Sequence, residues 1–391
     1  MIRTSDSRWF SVGFSISPDS RRAGEEAVHQ ALRATDAKVI MVFCSDTHDP
    51  RAILAGVNAV SGGVPLIGAT TSGEITHEAT HDRSVVVTAI GGPGIEATTA
   101  VATGVTGRQH DAGAELARCV DAVSPEHHRV LVLMPDDLAM GHRDLLDGAY
   151  SVLGPGVPLV GGCANDGPRA HRTRQLHGDE VFGDAVAAVA LGSLTPFGIG
   201  VEPGWRQVGE PMLVTETAGY DVLRLDNEPA LDLYLHRLGA PAPAHDDPEA
   251  FARFASAHPL GLTRRGGGPE MRCVLSADFD RRGLVSTAAV PHGAMVWFTE
   301  GGQDTIIAAT ELACASAVRA LGDRRPIGLI AFDCMSRKDV LGPEGTAHEV
   351  GIIAEHAAGA PVSGFYAHGE SAGAGGIDDH RDQTLVVLAM S

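Results

Sequence analysis

The sequence predicts an α/β protein (mixed α+β): two related domains with mixed sheets flanked by helices, built from internal strand–helix–strand repeats. Short apolar or β-branched runs alternate with amphipathic segments along the whole chain. One pattern also recurs three times after a strand and a helix: Val64-Pro65-Leu66-Ile67-Gly68, Val157-Pro158-Leu159-Val160-Gly161 and Ala360-Pro361-Val362-Ser363-Gly364. Finally, 391 residues with 44% hydrophobic and 20% charged side chains suffice to bury the cores of two or three domains.

The elements follow in order. A strand over Trp9 to Ser15 precedes an amphipathic helix that starts near Pro18 and Asp19 and ends about Thr35. Lys38 to Cys44, continuously apolar after its lysine, reads as a buried strand. A helix over Pro50 to Val60 and strands over Pro65 to Thr70, Ser84 to Ile90 and Ile95 to Val105 follow. The second unit is strand Val130 to Met134, helix Met140 to Leu153 and the second Pro-x-x-Gly strand; the third is strand Ile327 to Phe332, helix Gly345 to Ala358 and the last such strand. In each, proline suits the start of a strand, and the glycine marks a close approach that a Cβ would block. Such units imply strand ends assembled around a common locus, although helix-to-strand junctions alone would also produce the pattern.

Between the second and third units lies a β-rich middle: Ala185 to Leu191, Gly198 to Glu202 and Met212 to Thr217, then a helix over Pro229 to Leu238. Gly239 to Pro248, with three prolines, reads as an exposed loop, and Arg264 to Pro269 (RRGGGP) as a hairpin tip. A boundary near Thr217 gives domains of residues 1–216 and 217–391.

Composition excludes several functions. Thirty Lys plus Arg against 49 Asp plus Glu leave a charge of −19, unsuited to general nucleic-acid binding or to an anionic membrane. The only lysines, Lys38 and Lys338, close no G-x-x-x-x-G-K loop, so no P-loop is present. Apolar runs fall far short of a membrane span, and the first residues lack the apolar stretch of a signal peptide. Six cysteines without a C-x-x-C pair then read as reduced thiols of a cytoplasmic protein.

Two catalytic motifs occur and are discounted. His77-Glu78-Ala79-Thr80-His81 matches H-E-x-x-H, but the strand expected at Ser84 leaves little room for the helix that zinc ligation needs. Gly369-Glu370-Ser371-Ala372-Gly373 matches G-x-S-x-G, but glycine-rich sequence replaces the required helix, and only 20 residues follow Ser371. Cys334-Met335-Ser336-Arg337 places a thiol near a guanidinium at a strand's end, where open α/β sheets bind ligands; the alternative is a buried cysteine beside an ion-paired arginine.

Taken in order, these segments resemble the FIST family. Pro65 to Ile75 (PLIGATTSGEI) is similar to the signature of the FIST N-terminal domain. Ile330 to Arg337 (IAFDCMSR) and Pro361 to Glu370 (PVSGFYAHGE) are similar to the FIST C-terminal cysteine–arginine and glycine–glutamate motifs. Gly204 to Thr215 resembles the crossover between the domains, and Asp382-Gln383-Thr384 fits, with aspartate where asparagine is commoner; Ser371 replaces an apolar residue. The resemblance covers almost the whole chain. It implies a bacterial sensory protein of signal transduction that is not an enzyme and binds a small ligand such as an amino acid. A haem-binding, nitric-oxide-sensing role and an enzyme using Cys334 are the alternatives. With no output domain in the sequence, a separate histidine kinase or regulator is the expected partner.

The expected site gathers Thr71, Ser72 and Glu74 from the first unit and Cys163, Asn165 and Asp166 from the second. The third supplies Cys334, Arg337, Tyr366, His368, Gly369 and Glu370. Arg337 would clamp a carboxylate and a glutamate would receive an ammonium, a pairing suited to a zwitterion. The alternative is that Glu74 and Glu370 cap loops by accepting backbone N–H bonds. No metal site and no catalytic residue is expected. Haem would need an axial ligand such as His368 or His380 in an apolar pocket.

Overall fold

The computed structural model describes residues 7–139, 141–166, 172–263, 269–373 and 380–391. Three units share one order of elements. The first comprises strand Trp9–Ser15, helix Ser20–Ala31, strand Ala37–Ser45, helix Pro50–Ser61, strand Leu66–Thr71, a hairpin of Glu74–Thr76 and Thr80–His81, and strand Val85–Gly91. The second runs through Ile95–Thr103, Gln109–Ala117, His128–Pro135, His142–Leu153, Leu159–Gly162, the hairpin Gln175–His177 and Glu180–Phe182, and Ala185–Ser193. The third is Gly198–Glu202, Gln303–Arg319, Gly328–Cys334, Met335–Ala357, Val362–Ala367, the hairpin Glu370–Gly373 and His380–Arg381, and Leu385–Met390.

Each unit exchanges its hairpin. The hairpin of the first adds to the sheet of the third, that of the third to the second, and that of the second to the first, giving three six-stranded mixed sheets of identical order. Register makes the equivalence exact to the residue: Glu74 pairs with Phe365, Glu370 with Gly162 and Gln175 with Ala69. One backbone bond also appears three times. The amides of Thr70, Cys163 and Tyr366 donate to the carbonyls of Arg174, Gly369 and Gly73, each in the incoming hairpin connection, at 2.9 Å.

The inner faces of the three sheets meet in one core, where Met41 and Phe43, Val132 and Met134, and Ile330 and Phe332 occupy matching strand positions. Each outer face carries its own helices and a second apolar layer. Strands buried on both faces read as unbroken hydrophobic runs, which is why the sequence shows them so clearly. The recurring glycines have a common cause as well. A Cβ at Gly68, Gly161 or Gly364 would lie 2.3, 1.9 or 2.0 Å from the carbonyl oxygen of Val42, Leu133 or Ala331 on the adjacent parallel strand.

An antiparallel sheet of eight strands spans Arg206 to Glu300, between the first strand and the first helix of the third unit. Tyr234, Phe251 and Phe298 fill its core. The expected boundary at Thr217 falls within one of its strands, Arg206–Ala218. Hydrogen bonds dock this sheet on the corner before the last strand: Trp205 Nε1 donates to the Gln383 carbonyl at 2.9 Å, Gln383 Nε2 to the Ser256 carbonyl at 3.3 Å, and Thr287 and the Cys273 backbone N–H to Asp382.

Most element boundaries agree with expectation within a few residues. The helix expected from Gly345 begins just after Gly342, whose φ of 60° separates it from a short preceding helix that starts at Met335. Within the loop expected over Gly239 to Pro248, Ala242–His245 forms a short 3-10 turn. The RRGGGP tip lies outside the described residues apart from Pro269, and antiparallel strands Leu260–Thr263 and Pro269–Arg272 flank it.

Candidate functional site

The strand ends of all three units come together around Asn165. Its amide nitrogen Nδ2 donates to the Tyr366 carbonyl at 2.7 Å, its Oδ1 accepts from Ser72, and its backbone N–H donates to the Thr70 carbonyl at 3.0 Å. Asn165, Ser72 and Tyr366, three of the expected residues, thus knit the units rather than line an opening; Asn165 is 1% exposed.

The two glutamates occupy equivalent positions and are fully buried. Glu74 accepts from Thr71 and, at 2.6 Å, from the Ser84 hydroxyl. Glu370 accepts the backbone N–H of Thr384 at 3.1 Å. Both therefore bond the corner before the last strand of their unit, Glu74 through side-chain hydroxyls and Glu370 through a backbone N–H. Burial pushes Glu74 up to about 8, against the pull of its hydrogen bonds with Ser84 and Thr71, and burial likewise holds Glu370 well above the usual carboxylate range. The second unit carries Gln175 at this position, also fully buried. A neutral side chain fits all three corners.

Arg337 is not placed to clamp a ligand. It is fully buried; Nε bonds Asp333 at 2.7 Å, one terminal nitrogen bonds the Pro203 carbonyl at 3.0 Å, and the other bonds Thr310 and Glu349 at 2.8 and 2.7 Å. Burial and the neighbouring Glu349 push Asp333 far up, against the attraction of Arg337. This network ties the strand before Arg337 to two helices and to the entry of the eight-stranded sheet. Cys334 is 3% exposed, and burial and Glu370 raise its thiol well above the ordinary value, the opposite of an activated nucleophile.

Neither discounted motif has its catalytic geometry. His77 and His81 lie in and beside the turn of a hairpin, not on a helix, and Ser371 is a buried strand residue. His368 Nδ1 lies 3.1 Å from Asp137 Oδ2. Burial disfavours its imidazolium, but Asp137, with Asp166 and Asp339, outweighs burial and raises the pKa. These acidic surroundings do not fit a haem axial ligand, which needs an apolar pocket. The side chain of His380 lies outside the described residues.

An open cleft lies one step away. A cleft of about 470 Å³ is lined by Asp46, His48, Pro50, Thr70, Asp166, Arg172 and Arg174. Its floor is the end of two parallel strands of the first unit, and Asp166, Arg172 and Arg174 of the second unit form its wall. Asp166 Oδ2 accepts the Arg172 backbone N–H at 2.7 Å, and Arg174 donates to the Thr173 carbonyl at 2.7 Å. His48 is 8% exposed, and burial lowers its pKa, which favours a neutral imidazole 3.1 Å from the Ser20 hydroxyl. Of the expected residues only Asp166 lines this cleft. Arg172 and Arg174 were missed because nothing in their spacing marks them; the extra length between Asn165 and Gln175, against two residues from Ser72 to Glu74, was the available signal.

Comparison with known proteins fixes the relationship. The FIST N domain matches residues 38–228 and the FIST C domain residues 230–372. The chain belongs to the FIST family. FIST domains are associated with sensory signal transduction. An uncharacterised protein of Mycobacterium tuberculosis is 28% identical over 385 residues, covering 92% of this chain and 93% of its own. Another, of Mycobacterium bovis, is 25% identical and covers 92% of each. A solved structure, T. maritima PurL complexed with ATP, aligns at 12% identity over 99% of this chain and 72% of that one, with a TM-score of 0.23 that carries no argument. Among the described residues no helix of this FIST protein is long and apolar enough to cross a membrane.

Proposed function

We propose that this FIST protein is a cytoplasmic sensor of a small zwitterionic metabolite of amino-acid type, bound in the cleft between its first and second units. The observation that carries this reading is the lining: two guanidinium groups and two carboxylates around one open volume. A guanidinium matches a carboxylate with two parallel N–H bonds, and Asp46 or Asp166 receives the ammonium. Thr70 and His48 add polar contacts, and Pro50 an apolar one. Binding would reach the third unit through Asn165, which joins the cleft's floor to Tyr366. The readout passes to a separate kinase or regulator.

A thermal-shift panel of amino acids and related small acids tests the reading. A binder present at about 100 times its Kd stabilises the fold by about 2.7 kcal/mol. Arg172→Ala and Arg174→Ala are expected to keep the ligand-free melting temperature nearly unchanged, because both lie at the surface of the cleft, and to remove the ligand-induced shift. A binder whose shift survives in both variants contradicts the assignment.

A further inference from the structure

We infer a second site, for a divalent transition-metal ion of zinc type, formed by Asp137, His142 and Cys163 of the second unit. Asp137 follows strand His128–Pro135, His142 opens helix His142–Leu153 and Cys163 follows strand Leu159–Gly162, so three separate segments supply the donors. One ligating atom from each lies within 4.8 Å of the other two. The sulfur of Cys163 and Nε2 of His142 are 3.7 Å apart. A tetrahedral ion with bonds of about 2.3 Å to sulfur and 2.0 Å to nitrogen needs an edge of about 3.5 Å between them.

The position within the fold supports the same reading. Strand register makes Asp137 the counterpart of Asp46, and Cys163 the counterpart of Thr70, both of which line the arginine cleft. The same corner of two successive units is thus fitted with different chemistry, guanidinium groups in one and a thiol and imidazole in the other. Thiolate, imidazole and carboxylate together select a borderline ion over calcium or magnesium. His368, held at 3.1 Å from Asp137 by the incoming hairpin of the third unit, is the outer partner that orients the carboxylate. Asp137 and His368 side chains are 23% and 31% exposed while Cys163 is fully buried, so the ion enters past the first two and reaches the sulfur at the floor.

Binding replaces the thiol proton of Cys163 with a sulfur–metal bond and releases that proton to solvent. His142 Nε2, 3.1 Å from the Asp136 carbonyl in the metal-free chain, gives up its hydrogen and becomes the ligand, with the ring proton on Nδ1. Three protein donors leave a fourth tetrahedral position for water or an exchangeable donor.

Cobalt(II) titration of the chelator-treated full-length protein tests the site. The expected result is one ion per chain, with visible bands of tetrahedral intensity and a near-ultraviolet thiolate charge-transfer band. Cys163→Ser should lose the charge-transfer band with its metal-free melting curve retained, and His142→Ala should weaken binding at least tenfold. His368→Ala, as a positioning variant, should weaken it ~10–100-fold while keeping the band. Absence of the band in the wild type, or an equal band in Cys163→Ser, overturns the assignment. Arginine-cleft ligand binding is unaffected by either result.

Discussion

Arg337→Ala is expected to lose about 3–5 kcal/mol of stability, because it strands Asp333 and Glu349 in a fully buried position without their cation. Denaturant unfolding should show the loss as a large drop in midpoint. Replacing Arg337, Asp333 and Glu349 together by apolar residues of similar volume should recover much of it, since removing a whole buried network costs far less than breaking it. The outcome separates two roles for the arginine. A ligand clamp would leave the ligand-free protein as stable as before and abolish only the ligand-induced shift. The geometry, with Arg337 donating to four acceptors of its own chain, predicts the first result.

Stability should also fall as pH rises from about 4.5 to about 8, with Glu74 a principal cause. Its carboxyl titrates near 4.5 when unfolded and near 8 in the fold, where burial favours the neutral acid. In that window the folded state binds more protons than the unfolded state, so raising the pH favours unfolding, by up to about 1.4 kcal/mol per pH unit for one such group. The contribution is complete below the lower value and gone above the upper one. Glu370, held above its ordinary value by the same burial, adds a loss of the same sign. Glu74→Gln should therefore flatten the profile, seen as a smaller change in unfolding midpoint between pH 5 and 8. Gln175 stands fully buried at the equivalent position of the second unit, so the volume of an amide side chain is accommodated in one of the three corners.

Strands and repeats were legible because burial on both faces writes an uninterrupted apolar run, and because a carbonyl at about 2 Å from any Cβ demands glycine at the same place three times. The spacing of Glu74 from Leu66 matches that of Glu370 from Val362, and both glutamates open the next strand. The exchange of hairpins was not legible. It depends on which sheet edge a short segment meets, and a segment such as Glu74–Thr76 has the same local pattern whichever sheet it joins. Burial of Arg337 was hidden for a similar reason: three of its four acceptors, Pro203, Thr310 and Glu349, lie 12 to 134 residues away. Cleft and metal-type residues, Asp46, Arg172, Arg174, Asp137 and His142, stand in loops and turns, where no periodicity marks a side chain's direction. Cys163 and Asp166, by contrast, stand just after a Pro-x-x-Gly strand, a place that the repeat marks in the sequence.

Isothermal titration of the ligand identified by thermal shift, into the wild type, Arg174→Ala and Glu370→Gln, tests the placement of the site most directly. Losing a charge-assisted hydrogen bond of about 1.5–3 kcal/mol should weaken binding to Arg174→Ala by roughly 10–100-fold. Glu370→Gln should bind as the wild type does, because Glu370 is sealed at the corner it caps. Unchanged affinity in Arg174→Ala together with lost binding in Glu370→Gln would contradict the account and move the ligand to the third unit.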